Sequence, residues 1–257
     1  MAGRLLLRSE PGWYRASVVG LLAGLALVVA WNAHSFNHER GYDGPAHIEY
    51  AEIVASEQRL PGREIRGYYN PPLFYVLAGL SNRFGDDVLG LSPQEKLTQY
   101  GNAALLFASA LLLLYAARLV FSGRRTVHVA ALAFFCLVPV TTRTAAMFHP
   151  EPLDLFLSLA GLTLAARMLI RRSFDWRPAA GLGLVLGLAQ LSRTFGIYAS
   201  ASVGTVFLLA ALRRYAPRRE LLRGLAVVVL AAAVVTAPWY LRQAIRYTNP
   251  IFDQPTV

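Results

Sequence analysis

Long uncharged apolar runs constrain the fold of this chain more than any other feature of its sequence. A helix needs about 20 apolar residues to cross a bilayer, with a range of about 17–25. Seven stretches have this character, although the fifth is short and the fourth reaches full length only if Arg167 extends its long side chain to the membrane surface. They are residues 16–33, 97–117, 126–145, 152–170, 178–192, 194–212 and 224–241.

The composition supports a membrane protein and excludes other classes. Hydrophobic residues make up 55% of the 257 residues and charged residues only 16%, against about 25% charged in an average soluble domain. This excludes a disordered chain and an ordinary soluble enzyme, and Cys136, as the single cysteine, excludes a disulfide scaffold. The bias toward Arg over Lys and toward Ala and Leu indicates a GC-rich bacterial genome. We therefore expect an all-α, polytopic protein of the bacterial inner membrane, in contact with membrane lipid.

The positive charge is distributed as a membrane anchor rather than as a nucleic-acid surface. If the N-terminus is cytoplasmic and seven helices cross, the cytoplasmic breaks hold 15 of the 25 basic residues and 3 of the 15 acids. An eighth apolar stretch, residues 67–82, is interrupted by Pro71 and Pro72, leaving about eight apolar residues that rise only about 12 Å. Making it a span would export three arginine pairs, against the positive-inside rule. We expect seven spans and no nucleic-acid partner.

This topology leaves one long outer loop, residues 34–96, which carries most of the acidic residues. Apolar residues at helical spacing after Pro45 predict a short amphipathic helix on the outer surface, with Asp43 as its N-cap. The stretch around Leu73–Leu80 predicts a second interfacial helix. A loop of this length in a compact protein is usually functional.

Several short motifs follow one another along the chain: Tyr42-Asp43-Gly44-Pro45-Ala46-His47, Tyr69-Asn70-Pro71-Pro72-Leu73-Phe74, Phe148-His149-Pro150-Glu151-Pro152-Leu153-Asp154, Leu191-Ser192-Arg193-Thr194-Phe195-Gly196 and Ala237-Pro238-Trp239-Tyr240. In their order and spacing they resemble the GT-C membrane glycosyltransferases, specifically bacterial members of the protein O-mannosyltransferase, aminoarabinose transferase and lipopolysaccharide sugar transferase group. The resemblance covers residues 16–250. It implies transfer of a sugar from a polyprenyl-phosphate donor to a lipid, glycan or protein acceptor on the outer face of the membrane, with inversion.

Two departures from the family pattern concern the first loop. Gly44 follows Asp43 where many relatives have a second acid, and Asn70 stands where some relatives have Lys or His. Family members are also longer, so we expect this sequence, which ends after Asn249-Pro250, to be incomplete at its C-terminal end.

The resemblance assigns roles that the residue types can perform. A carboxylate must accept the proton of the acceptor, and we expect Asp43 as that base, with Glu151 as a second catalytic carboxylate. A cation must neutralise the leaving phosphate, and we expect Arg193, with Arg63 and Arg66 as alternatives. Asp154, one helical turn after Glu151, is a further substrate-binding candidate.

Each of these assignments has a structural alternative. Asp43 could serve only as a helix cap. Glu151 and Asp154 could be carboxylates favoured by the dipole of a helix N-terminus. Arg193 could be the polar tip of a hairpin between two spans.

Histidine and aromatic residues complete the candidate site. His47 and His149, beside Asp43 and Glu151, could hold a divalent cation, and His34 and His38 would form a zinc pair only if a helix joined them. Tyr69 and Asn70 are expected to bind substrate. The aromatic residues Tyr68, Tyr69, Phe74 and Tyr75 fit either an interfacial belt or the wall of a substrate groove.

Two other classes of function remain open at this point. A transporter or flippase for a lipid-linked sugar would show internal repeats or charges in the middle of spans, whereas this sequence has no visible repeat and its charges lie near the ends of spans. A non-catalytic membrane assembly protein is the third possibility.

Overall fold

The computed structural model of the chain describes residues 10–90, 93 and 95–247, and this part of the chain is helical, without strands. The first nine residues and the C-terminal Asn249-Pro250, on which two expectations fall, lie outside the described residues. The helices are α1 (Gly12–Ser35), α2 (Gly44–Glu57), α3 (Leu73–Asp87), α4 (Lys96–Val120), α5 (Arg125–Leu137), α6 (Pro139–Ala146), α7 (Glu151–Arg171), α8 (Trp176–Ser192), α9 (Gly196–Leu212) and α10 (Arg218–Tyr247).

Several helices are suited to a bilayer by length and composition, as the sequence predicts. Among the described residues, α1, α4, α7 and α10 are long and apolar enough to cross a membrane. The pair α5 and α6 adds a fifth crossing if it is one span bent by 51°. The apolar helix α9 is shorter, and α8 has 17 residues. All seven predicted stretches are therefore helical, while a total of seven crossings stays a prediction.

The predicted span at residues 126–145 is not one straight helix. It bends at Val138, between α5 and α6, where Pro139 opens the second helix. Proline cannot donate a backbone hydrogen bond, and its ring clashes with the preceding turn, so a sharp bend is the expected consequence. The proline was visible in the sequence, but its effect on this span was missed.

The apolar segments run alternately between two ends of a bundle. Lys96 at the start of α4 donates to the carbonyl oxygens of Ala33 (3.0 Å) and Phe36 (2.7 Å) at the end of α1. Arg118 near the end of α4 donates to Tyr14 near the start of α1 at 2.9 Å. The two helices are therefore antiparallel. We call the end that carries α2 and α3 the loop end, and the opposite one the arginine end.

Helix α8 lies in the middle of its half of the bundle, between α7, α9 and α10. A Cβ on Gly183 would lie 2.3 Å from the carbonyl oxygen of Val228, and one on Gly187 would lie 2.9 Å from the Cβ of Val235. Glycines four residues apart let two helix backbones approach closely, a packing mode common in membranes. Because its neighbours surround it, α8 needs less apolar surface than a helix facing lipid.

The outer-loop helices α2 and α3 form a small aromatic core at the loop end. Tyr50 and Tyr75 stack with their ring centroids 3.8 Å apart, and both are fully buried. Helix α2 begins where the sequence predicts, with Pro45 in its first turn. Helix α3 begins at Leu73 and extends to Asp87, beyond the apolar residues Leu73–Leu80 on which its prediction rests.

The aromatic cluster is neither a lipid-facing belt nor, as a whole, a groove wall. Tyr68, Phe74 and Tyr75 are at most 3% exposed, so both interpretations are wrong for these three side chains. They pack instead against Phe148, just before α7, and against Tyr247 at the end of α10. The cluster therefore fastens the outer loop onto the bundle. The fourth, Tyr69, lines a cavity of the kind expected for substrate.

Candidate functional site

An open cavity of ≈320 Å³ lies at the loop end, between the outer loop and the starts of α7 and α9. This volume is at the lower limit of ligand pockets, which are about 300–1,000 Å³. Seven of the eight residues predicted to form the site line it: Asp43, His47, Tyr69, Asn70, His149, Glu151 and Arg193. Tyr42, Thr194 and Phe195 complete the lining. Residues far apart in sequence are thus brought to one cavity.

Asp43 contributes a carboxylate that is not used to cap α2. It occupies the N-cap position, but its backbone is left-handed (φ 53°, ψ 24°) and its side chain makes no capping hydrogen bond. The predicted N-cap position is confirmed, but the capping hydrogen bond is absent, because a capping side chain usually needs an extended backbone that turns it toward the first amides. The side chain is instead 55% exposed, and one of its oxygens lies 3.7 Å from a terminal nitrogen of Arg66.

Glu151 and Arg193 lie side by side in the cavity, at the start of α7 and in the turn after α8. Glu151 begins α7, and its carboxylate lies 3.7 Å from a terminal nitrogen of Arg193, which follows α8. The Arg193 side chain is 22% exposed and lies against the ring of Phe195. Its Nε is buried without a hydrogen-bond partner in the described part of the chain. Arg193 is therefore more than the polar tip of a hairpin, since its side chain is mostly enclosed beside a carboxylate.

The turn that holds Arg193 depends on a glycine. Arg193 has an extended backbone (φ −154°, ψ 142°) between α8 and α9. A Cβ on Gly196 would lie 2.5 Å from the carbonyl carbon of Ala189, so only glycine lets the start of α9 pass this close to the end of α8. The glycine of the Arg193-Thr194-Phe195-Gly196 motif is thus explained by helix packing, independently of the family resemblance.

His47 and His149 form a buried pair at the back of the cavity. Their rings meet edge to face with centroids 4.7 Å apart, and both residues are almost fully buried. Burial, with a smaller contribution from Arg193, lowers the pKa of His47 from 6.5 to about 4. Burial, with contributions from His47 and Arg193, lowers the pKa of His149 to about 3. Both imidazoles are therefore neutral near pH 7.

Hydrogen bonds fix the orientation of this pair. The Nδ1 of His47 is joined to the Tyr75 hydroxyl at 2.7 Å. The backbone N–H of Glu151 donates to Nδ1 of His149 at 3.4 Å, so the neutral ring carries its proton on Nε2. Asn102 donates to the carbonyl oxygen of His149 at 3.0 Å and so ties the segment before α7 to α4.

The histidines do not assemble a metal centre by themselves. Within the described ranges, no three His, Cys, Asp or Glu side chains come together as ligands of one ion. His34 and His38 also diverge, because His34 is hydrogen-bonded to Tyr100 and His38 faces Glu95. The divalent cation stays a prediction from the resemblance, and no step proposed below passes through one.

Asp154 is the predicted site residue that does not line the cavity. Its carboxylate accepts a hydrogen bond from Ser158 at 3.3 Å within α7. Both Asp154 and Glu151 lie in the first turn of α7, where the helix dipole favours negative charge. Asp154 fits this structural alternative, and its role in substrate binding stays a prediction, whereas Glu151 also faces the cavity.

An apolar cavity of ≈270 Å³ adjoins the polar one and was not predicted. It shares Glu151 and Phe195 with the polar cavity. Its other lining residues come from α4, α6 and the start of α7: Leu106, Val140, Thr141, Thr144, Pro152 and Leu155. Val140, Thr141 and Thr144 lie on α6, which begins at the bend, so Pro139 is the sequence signal that could have indicated this cavity.

Some residues that support the site have only weak signals in the sequence. Phe195 and Tyr42 neighbour predicted residues, and Asn102 could have been recognised as a polar residue inside an apolar stretch, which usually has a purpose. Tyr75 was noticed only as part of the aromatic cluster. Its bond to His47 depends on the packing of α3 onto α2, which no local pattern reveals.

Comparisons with models of known protein families, with curated proteins and with solved structures found no significant match. The resemblance to the GT-C glycosyltransferases therefore rests on the motifs alone, and the geometry of the cavity must carry the argument about function.

Proposed function

We propose that this protein is a membrane glycosyltransferase of the GT-C type that moves a sugar from a polyprenyl-phosphate donor to an acceptor hydroxyl or amine. The observation that carries the proposal is the convergence of Asp43, Glu151 and Arg193 on one cavity. These residues come from the first loop and the two helix junctions that the motifs single out. A base and a cation are the two groups that the reaction requires.

The pairing of a polar and an apolar cavity supports a lipid-linked donor. The polar cavity offers carboxylates, neutral imidazoles and a guanidinium, while the cavity beside it is lined mainly by apolar side chains. Glu151 and Phe195 border both. A sugar phosphate would occupy the first cavity, and the first isoprene units of the carrier would enter the second.

The proposed chemistry assigns each group one task. The acceptor oxygen attacks the anomeric carbon while the bond from that carbon to the phosphate oxygen breaks. The phosphate leaves with the bonding electrons, and Arg193 neutralises its charge. The proton of the acceptor passes to Asp43. Glu151 holds the Arg193 guanidinium at 3.7 Å and so orients it toward the leaving group.

The proposal includes seven crossings, with the loop end outside and the arginine end in the cytoplasm. The alternating helix directions support it, as does the concentration of arginines at one end. Cysteines replacing Ser56 and Thr194, in a Cys136→Ala background, should react from outside intact cells with an impermeant thiol reagent. Cysteines replacing Ser122 and Ser173 should react only after permeabilisation. Reaction of the Ser173 replacement from outside would show that α8 does not cross as proposed.

The decisive experiment removes the base without disturbing the fold. Asn tolerates the left-handed backbone of position 43, and there is no capping bond to lose, so Asp43→Asn should fold normally. Its transfer rate should fall by about 10²–10⁴-fold, the usual contribution of a general base. The assay is sugar transfer from a radiolabelled polyprenyl-phosphate sugar in detergent, with melting temperature measured alongside.

Asp86→Asn is the matched control, because Asp86 is an exposed acid near the end of α3, outside the cavity. This control should transfer sugar at the wild-type rate. A folded Asp43→Asn protein with undiminished transfer would eliminate Asp43 as the base. A folded wild-type protein that moves the donor across vesicles without transferring sugar would show a flippase instead.

A further inference from the structure

A second polar cavity, of ≈590 Å³, lies at the arginine end of the bundle, away from the proposed catalytic site. It is formed where α7 ends and where α9 turns into α10. Its lining comprises Arg172, Ala211, Leu212, Arg214, Tyr215, Ala216, Pro217 and Arg218, and it includes three arginines and no acid. Nothing in the proposed sugar transfer uses this cavity.

No acidic side chain among the described residues neutralises the three guanidinium groups. In the described part of the chain, Arg172, Arg214 and Arg218 make no ion pair and no side-chain hydrogen bond. Asp175, a nearby acid, accepts a hydrogen bond from Ser173 instead. Arg172 contacts Tyr215, with its guanidinium carbon 4.8 Å from the ring centroid.

Two of these arginines occupy backbone positions that suit glycine better. Arg172 has φ 50° and Arg214 has φ 54°, the left-handed region in which a Cβ is disfavoured. Helices very commonly end in glycine at such positions. Arginine at both positions retains strain that glycine would relieve, which indicates that the side chains themselves have a use.

The surroundings of the cavity are those of a membrane surface. Leu212 is 71% exposed at the end of α9, and the rings of Tyr215 and Trp176 are also exposed. Aromatic and basic residues at the end of apolar helices are typical of the interface between hydrocarbon and headgroups. A ligand here would meet cations on one side and an apolar helix surface on the other.

We propose that this cavity binds the headgroup of an anionic phospholipid, with its phosphate against Arg172, Arg214 and Arg218 and its acyl chains along the exposed apolar face of α9. Basic pockets between membrane helices bind lipid phosphates in this way. Arginine suits the role because its planar group can donate two parallel hydrogen bonds to a phosphate.

The test measures binding of phosphatidylglycerol to the purified full chain in neutral detergent. Wild-type protein should bind it saturably and at least about tenfold more tightly than phosphatidylcholine. Both lipids carry a phosphate, but the choline cation of phosphatidylcholine neutralises it, whereas phosphatidylglycerol has a net negative charge that attracts the arginines. The double variant Arg172→Gly/Arg214→Gly should lose at least about tenfold in affinity. It should melt at the same or a higher temperature in the absence of lipid, because glycine relieves the strained backbone.

The matched control is the double variant Arg171→Ala/Arg219→Ala, which removes two exposed arginines from the same end but outside the cavity. It should retain the wild-type affinity for phosphatidylglycerol. Arg218→Gln is a second cavity variant at an ordinary backbone position and should weaken binding on its own.

Three outcomes would overturn the proposal. Equal binding of the two lipids would show that charge does not select the ligand. An equal loss of affinity in the control variant would show a general surface effect rather than a site. Inorganic phosphate that matches the affinity of phosphatidylglycerol and displaces it completely would identify a free anion, not a lipid, as the ligand.

Discussion

The two ends of the bundle hold arginine in opposite ways. At the loop end, Arg193 is largely enclosed and faces Glu151 at 3.7 Å. At the arginine end, Arg172, Arg214 and Arg218 are exposed and have no acidic partner within the described residues. Arginine is thus held beside a carboxylate at one end, whereas at the other end it is a surface cation without an acidic partner among the described residues.

This difference follows from the environment of the charges. In an enclosed site the effective dielectric constant is lower than in water, so a charge interacts more strongly with a partner or a developing anion. Exposed guanidinium groups are screened by water and salt and contribute through their number and their proximity to lipid phosphates. We therefore expect substitutions at the loop end to change activity and substitutions at the arginine end to change lipid binding.

The largest contrast should come from the same substitution at both ends. Arg193→Gln should lower the rate of sugar transfer by about 10²–10³-fold, the usual effect of removing one group that stabilises transition-state charge. Arg193→Lys should retain more activity than Arg193→Gln, because lysine keeps the positive charge although it cannot donate two parallel hydrogen bonds to the phosphate. Arg218→Gln should leave the transfer rate unchanged. The measurement is the rate with saturating donor in detergent.

Comparable rates for wild type and Arg193→Gln would remove the contrast and leave Arg193 as a structural residue. Glu151→Gln provides an internal check. If Glu151 acts by orienting Arg193, combining the two Gln substitutions should cost little more than Arg193→Gln alone. Additive losses would show that the two residues act independently.

The same contrast explains how much of the fold could be predicted from sequence. Apolar runs and exposed arginines are local features, so the helical stretches and the arginine end follow directly from residue types. The bend at Pro139 and the central position of α8 depend on neighbouring helices. Gly183 and Gly187 can be read from the sequence, but their contacts with Val228 and Val235 are tertiary and cannot.

The sequence predicts which residues line the candidate site, but not how their backbones and side chains are arranged. Motifs in the outer loop and at two helix junctions indicated seven lining residues, including Asp43, Glu151 and Arg193. Periodicity cannot reveal that Asp43 adopts a left-handed backbone and leaves α2 uncapped. It also cannot reveal that Asp154, one turn from Glu151, bonds Ser158 instead of lining the cavity. These outcomes are decided by how α7 packs against the outer loop.

A second comparison concerns glycines in the turns of the two ends. Gly196→Ala at the loop end should destabilise the protein by about 3 kcal/mol, because the new Cβ would meet the backbone of Ala189 at 2.5 Å. Gly123→Ala at the arginine end has no atom within 4 Å of the new Cβ. It should cost only about 1 kcal/mol for its positive φ. The measurement is the free energy of unfolding in mixed micelles.

Equal costs for the two glycine variants would show that the turn before α9 adjusts freely. Transfer activity provides a further distinction between the two variants. Gly196→Ala should also reduce transfer at temperatures where it is still folded, because the turn positions Arg193. Gly123→Ala should not.

The smallest expected effect concerns pH and the buried histidine pair. The folded-state pKa of His47 is lowered from 6.5 to about 4 and that of His149 to about 3. Between pH 6.5 and these values the unfolded chain binds protons that the folded chain does not, so stability must fall as the pH falls. From pH 7 to pH 6 the loss should be about 0.7 kcal/mol for each histidine. The double variant His47→Gln/His149→Gln cannot titrate at these positions, so its unfolding free energy should decline less steeply over this range even if it is lower at pH 7. Parallel curves of unfolding free energy against pH for wild type and variant would show that the histidine pair is hydrated enough to accept protons in the folded state. The loop end would then not be the enclosed environment on which the contrast between the two ends depends.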